Sequence, residues 1–306
     1  MAGQGDDRLN ILAGGASVTV AAVLAALKFW ALLETGALSI AASLADNLLD
    51  LMVSLGGLAA LVYAARPPDE DHAFGHSSAE DLAALGQSTF ITVSALAIGG
   101  AAALRLMSGD IRPLEAEGWG MAVMGISILL TTGLVIGQRR VARRTRSRVV
   151  AADALHYLSD LLPNIGAIVS LYVAARWGVY SLDSIVALIA AVILLFGGAR
   201  IGKGAFDALM DRRADPALIA GIERIARAHP GVHGFHDLKT RTAGARVFVN
   251  LHIELDGAQT LEEAHAIGAA LRRKILAAYP ETDVIIHKDP VRDRRAATPL
   301  GPGRDP

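Results

Sequence analysis

The sequence predicts an α-helical membrane protein: six transmembrane helices followed by a small cytoplasmic α+β domain of order αββαβ. Three observations carry that prediction. Hydrophobic residues make up 53% of the 306-residue chain and charged residues only 19%, and the charges are spread unevenly. Long uncharged runs fill the first two-thirds, on the scale of the ~20 apolar residues a helix needs to cross a bilayer. After Arg200 the texture changes to the short, regularly patterned segments of a water-soluble fold.

Residues 1–10 carry Asp6, Asp7 and Arg8 and read as an N-terminal tail rather than a cleavable signal, since the apolar run after them has no convincing cleavage site. The transmembrane part covers 11–206. Its first span is Ile11 to Leu33, with Lys28 near one end, where the long stem can snorkel. The second is Leu38 to Ala65. The third, Leu82 to Leu104, is uncharged over 23 residues, and the fourth, Gly118 to Gln138, is uncharged as well. The fifth runs from Val149 to Ala175 and the sixth from Ser184 to Ala199. The segment Arg139 to Arg148 holds six arginines and no acid between spans four and five. Short loops of that kind stay in the cytoplasm, which places both termini on the same side.

Residues 207–290 read as the soluble domain. Asp215 to His229 spaces Leu218, Ile219, Ile222 and Ile225 as an amphipathic helix. His236 to Thr240 and Arg246 to Leu255 read as strands, the second alternating through Val247, Val249, Leu251 and Ile253. Leu261 to Ala278 is a second amphipathic helix and Thr282 to His287 a third strand. A domain of about 85 residues is marginally stable by itself. Residues 291–306, rich in Pro, Gly and Arg, read as a disordered tail.

Two pairs of ionisable residues fall inside apolar spans. Asp46 and Asp50 lie in the second, His156 and Asp160 in the fifth, and each pair is spaced i, i+4, so its side chains leave one helix face a turn apart. Such groups are costly in a bilayer unless they face a cavity, pair, or bind an ion. Three carboxylates and one imidazole suit a divalent metal, and the imidazole tilts the set towards Zn²⁺ over the all-oxygen shells of Mn²⁺ and Mg²⁺. Interhelical hydrogen bonding is the plain alternative. With no cysteine in the chain, thiolate ligation and disulfides are excluded.

Two further groups are candidates. Asp69, His72 and His76 follow the second span, two histidines at i, i+4 with a carboxylate nearby; a solvated acidic loop is the alternative. His236, His252, His265, His287 and Asp289 concentrate four of the nine histidines, with an aspartate, in the soluble domain. Gly197, Gly202 and Lys203 mimic a phosphate loop, but Gly204 stands where Ser or Thr is needed. Neither HExxH nor GxSxG occurs, so no hydrolase signature marks the chain as an enzyme. A formal net charge of −1 gives no basic bias towards nucleic acid.

The motifs SLADNLLD, HAFGHSSAEDLAALGQS, ADALHYLSD, GFHDLKTR, LHIEL and DVIIHKDP together resemble the cation diffusion facilitator family, from Asn10 to Pro290. The resemblance implies a six-helix membrane domain, a metallochaperone-like cytoplasmic domain, a homodimer in a bacterial-type inner membrane, and metal efflux in exchange for protons. It implies that Asp46, Asp50, His156 and Asp160 form the transport site and that Asp69, His72 and His76 form a loop site. It also implies a two-metal site of His236, His252, His265, His287 and Asp289, with Asp289 bridging. Two departures stand out. Ser78 replaces a lysine that pairs, in the resembled pumps, with the acid retained here as Asp211, and Lys288 replaces an uncharged amide beside the two-metal site. The expected activity is Zn²⁺/H⁺ antiport. Fe²⁺, Cd²⁺ or Mn²⁺ remain alternative ions, and a membrane metal sensor is the alternative class.

Overall fold

A computed structural model describes residues 2–35, 38–108, 118–177 and 182–291. Six long helices come first: α1 (Ala2–Thr35), α2 (Leu38–Ala64), α3 (Ser78–Ser108), α4 (Gly118–Thr145), α5 (Arg148–Trp177) and α6 (Leu182–Leu209). Then follow α7 (Pro216–Arg227), β1 (Gly234–Ala243), β2 (Arg246–Leu255), α8 (Leu261–Ala278) and β3 (Thr282–Pro290). The chain is a helical transmembrane region with a small C-terminal α/β domain. The described residues up to Met210, together with Ala243–Ala245, form one compact unit, and the remainder from Asp211 form a second.

Within the first unit α1 packs on α2, α3 on α6, and α4 on α5. Among the described residues four helices are long and apolar enough to cross a membrane: Gly5–Leu33, Asp46–Ala64, Ser78–Ser108 and Ser184–Leu209. Large apolar side chains stand outward along the bundle, such as Leu96 at 59% and Phe196 at 73% exposure, as expected where lipid replaces water. Helix α1 begins at Ala2, so the segment 2–10, expected as a tail, extends the first helix, and Asn10 within it is buried.

The second unit has a three-stranded sheet of order β1-β2-β3, with β2 and β3 parallel. Val247, Val249, Leu251, Ile253 and Leu255 alternate into a core with Leu218 and Ile222 of α7 and Leu271 and Ile275 of α8. One face of the sheet thus meets the helices, and strand alternation sends His252 and Glu254 to the other. Asp215 caps α7, its side chain accepting from the Ala217 amide, with Pro216 in the first turn. Thr260 and Glu263 form a reciprocal capping box at α8. The expected disordered tail lies outside the described residues except for Val291, whose amide donates to the Leu255 carbonyl at 2.8 Å.

Candidate metal centres

Helices α2 and α5 bring Asp50, His156 and Asp160 together, with one ligand atom from each lying within 4.8 Å of the others. The i, i+4 spacing on α5 places His156 and Asp160 on the face that meets Asp50. His156 Nε2 lies 3.2 Å from Asp50 Oδ1, and the imidazole is only 4% exposed. The alignment makes no hydrogen bond there, leaving Nε2 a buried nitrogen without a hydrogen-bonded partner. Such an atom is costly unless something fills its lone pair or takes its proton, and a divalent cation between imidazole and carboxylates fits that need. Phe90 packs edge-on against the ring, with centroids 5.8 Å apart. Asp46, the fourth expected ligand, is exposed on α2 and stands outside this grouping.

Side chains outside the expected ligand set surround the triad. Asp153, one turn before His156, is buried and accepts from Ser17 Oγ of α1 and from Gln138 Nε2 of α4 at 2.5 Å. Tyr157 shares a 2.8 Å hydrogen bond with Ser54 and donates to the Ser17 carbonyl at 3.1 Å. These bonds tie α1, α2, α4 and α5 together behind the triad. Lys28 does not snorkel; its Nζ donates to Asn47 Oδ1 on α2 at 2.7 Å. A lone lysine near a span end looks alike in sequence whether it reaches the interface or turns inward, and only the packing of α1 on α2 separates the two.

The loop between α2 and α3 folds back on Asp69. Its carboxylate accepts from the backbone amides of Asp71 and His72, at 3.1 and 2.7 Å. His72 Nδ1 and His76 Nε2 lie 3.3 and 3.2 Å from its two oxygens. Gly75, at φ +82°, lets the chain reverse between the two histidines. Asp69 is held below the ordinary carboxylate range, chiefly by the hydrogen bond from the His72 amide. The His76 side chain is 2% exposed, against 51% for His72, and it stacks edge-on to Tyr63 with centroids 4.6 Å apart. Its Nδ1 is buried and without a hydrogen-bonded partner.

In the C-terminal unit the β2–β3 register sets His252 opposite His287 and Glu254 opposite Asp289. All four therefore share the face turned away from the helices. Asp289 Oδ2 lies 2.9 Å from His252 Nδ1 and 3.4 Å from His236 Nε2, while its Oδ1 lies 3.2 Å from His287 Nε2. The carboxylate thus spans two sets of imidazoles. Its hydrogen bond with His252 and the nearby histidines hold Asp289 below the ordinary carboxylate range. Glu254, absent from the sequence-derived set, approaches His236 Nδ1 at 3.1 Å. The alternation of LHIEL was the signal that could have found it, since residues two apart on a strand share a face. His265 is exposed on α8 and lies outside these groupings.

Both departures from the family pattern acquire a structural account. Lys288 alternates away from His287 and Asp289, and its stem lies over Gly268 of α8, where a Cβ on the glycine would meet its Cε at 2.5 Å. The expected cation beside the cluster is therefore on the other face of the strand. Asp211 pairs with Arg241 at 3.4 Å.

A bundle of membrane helices holding half-buried carboxylates and a buried imidazole at ion-binding distance is the architecture of a membrane protein that handles cations. Residues 16–210 match the cation efflux transmembrane domain and residues 214–291 the cation efflux protein cytoplasmic domain. The chain is 40% identical over 281 residues to the cation-efflux pump FieF of Shewanella oneidensis, covering 92% of this chain and 94% of that one. It is 39% identical over 283 residues to the FieF of Klebsiella pneumoniae subsp. pneumoniae, covering 92% and 93%. A solved MamM CTD in a nickel form is 23% identical, covering 26% of this chain and all of that one, at a TM-score of 0.25. The chain belongs to the cation diffusion facilitator family, whose members are divalent metal cation efflux transporters.

Proposed function

We propose that the protein exports Zn²⁺ from the cytoplasm in exchange for protons, as a homodimer in a bacterial-type inner membrane with both termini cytoplasmic. The observation that carries this reading is the grouping of Asp50, His156 and Asp160 between α2 and α5. One imidazole with two carboxylates leaves a coordination position open, as in zinc sites that exchange a ligand. Asp46, one turn from Asp50, is the residue that would close the shell. An incomplete shell favours passage over storage.

The coupling follows from charge. The carboxylate and imidazole ligands that hold a metal ion can instead hold protons. A metal ion displaces those protons on binding, and reprotonation from the more acidic side expels it. Asp69, His72 and His76 then form a loop site, and His236, His252, His265, His287 and Asp289, with Glu254, a C-terminal site that tunes transport and braces the dimer. The reading assigns 11–206 to transport and 207–290 to metal binding and dimerisation. The arginines of Arg139 to Arg148 support the orientation and offer contacts for anionic lipid. The relatives' efflux name supports the direction.

The test is uptake of Zn²⁺, Fe²⁺, Cd²⁺ and Mn²⁺ into sealed proteoliposomes containing a pH-sensitive dye. Zn²⁺ uptake with opposed proton movement is expected. Uptake without proton movement would replace exchange by uniport, and metal binding without uptake would favour a sensor.

A further inference from the structure

Lys28 has no place in the ligand set, yet it is directed at it. The residue is half-buried on α1, and its ammonium donates to Asn47 Oδ1 at 2.7 Å. Asn47 is 7% exposed and sits three residues before Asp50, on the same side of α2. Asn47 follows Asp46 directly and stands a turn before Asp50, so the ammonium it holds lies beside the stretch of α2 that carries two of the three carboxylates. Among the described residues, the ionisable groups of the proposed site on α2 and α5 are Asp46, Asp50, Asp160 and His156, with Lys28 held beside them from α1 and the buried Asp153, itself bonded to Ser17 and Gln138, one turn before His156.

We infer that Lys28 is a tethered counter-cation of the transport site, repelling the incoming metal ion and keeping its binding weak enough for release. This rests on the reading of Asp50, His156 and Asp160 as that site. Three carboxylates carry −3, and a divalent ion with one ammonium restores neutrality while the imidazole stays neutral. Without the lysine, a filled site would keep a net charge of −1 and hold its cargo more tightly. The ammonium and the metal repel one another in a region where neither water nor salt screens them well. Asn47 anchors the ammonium by its neutral oxygen, which keeps it near the carboxylates without occupying a metal ligand.

The test uses the full chain with the loop and C-terminal ligands replaced, so that one site titrates, and Zn²⁺ binding by calorimetry at about pH 8, above carboxylate and imidazole reference values. Lys28→Met removes the charge. Lys28→Gln removes it but retains a hydrogen-bond donor for Asn47. Both should bind Zn²⁺ about tenfold more tightly, and in vesicles both should lower KM and maximal rate together. Lys28→Arg should restore the parental values. A merely structural role would move KM the other way. Neutral variants that bind equally or more weakly than the parent overturn the inference, and Lys28→Gln decides alone if Lys28→Met does not fold. Asp50→Ala is measured alongside. Binding that survives it would overturn the site itself, whereas its loss with unchanged Lys28 variants would overturn only the role of the lysine.

Discussion

The two units hold their metal-binding candidates by different means. In the membrane unit, α2 and α5 each present ionisable residues a turn apart, and the meeting place is closed: the His156 side chain is 4% exposed. In the C-terminal unit the cluster lies on an open sheet face, with His236 at 48% and Asp289 at 30% exposure. Position along a strand ladder, rather than enclosure, brings those ligands together. A closed polar site leaves each charge poorly screened, so a charge added there is felt strongly by its neighbours. An open one exchanges charge with water at little cost. Under the proposed function the first drives transport and the second adjusts it.

The largest test of that difference is Asp50→Ala. Loss of one of two gathered carboxylates should reduce proteoliposome uptake at least about 100-fold, as expected when a ligand of a dry metal site is removed. Uptake at the parental rate would end the distinction between the units. Next is His252→Ala with Asp289→Ala. This pair should lower the number of Zn²⁺ ions bound per protomer, measured by equilibrium dialysis, and weaken the dimer, measured by light scattering. Transport should remain within about tenfold of the parent, since the ligands' open setting makes their charge a minor contribution. Complete loss of transport would place the open site on the transport path.

His156 sharpens the comparison from within. His156→Asp makes the closed grouping all-oxygen and should raise Cd²⁺ or Mn²⁺ uptake relative to Zn²⁺; unchanged ion ratios would remove the imidazole from selectivity. In the parent, apparent Zn²⁺ affinity at this site should fall as pH drops from about 7.5 to 6, around the imidazole reference of ~6.5, because metal must displace a proton. His156→Ala should flatten that slope in calorimetry. The smallest effect is expected at the α8 cap. Thr260→Ala removes one half of the capping box and should cost about 1 kcal/mol of C-terminal unit stability, read as a lowered Tm with metal transport unchanged.

The residue pattern alone gave the order of the elements. Uncharged runs, the arginine segment and the alternation from Val247 to Ile253 set out six helices and an αββαβ domain, because burial demands a period that composition displays. The i, i+4 pairs likewise pointed to Asp46, Asp50, His156 and Asp160, of which the packing gathers the last three and leaves Asp46 exposed. Helix ends were less legible: α1 reaches back to Ala2 and α6 on to Leu209, since a helix leaving an apolar layer need not stop at its edge. The inward turn of Lys28 is not legible in the sequence, because its partner Asn47 lies on another helix.

What the sequence by itself determined is therefore periodic and local: spans, strands, and which side chains share one face of one element. What only the tertiary structure decided is which faces meet. Packing set Lys28 against Asn47, gathered Asp50 with His156 and Asp160 while Asp46 remained exposed, and tied Asp153 to Ser17 and Gln138. Parallel register set Glu254 opposite Asp289, and strand alternation turned Lys288 towards Gly268. The physical reason is that a contact between elements depends on their relative rotation and register, which no single element's periodicity contains.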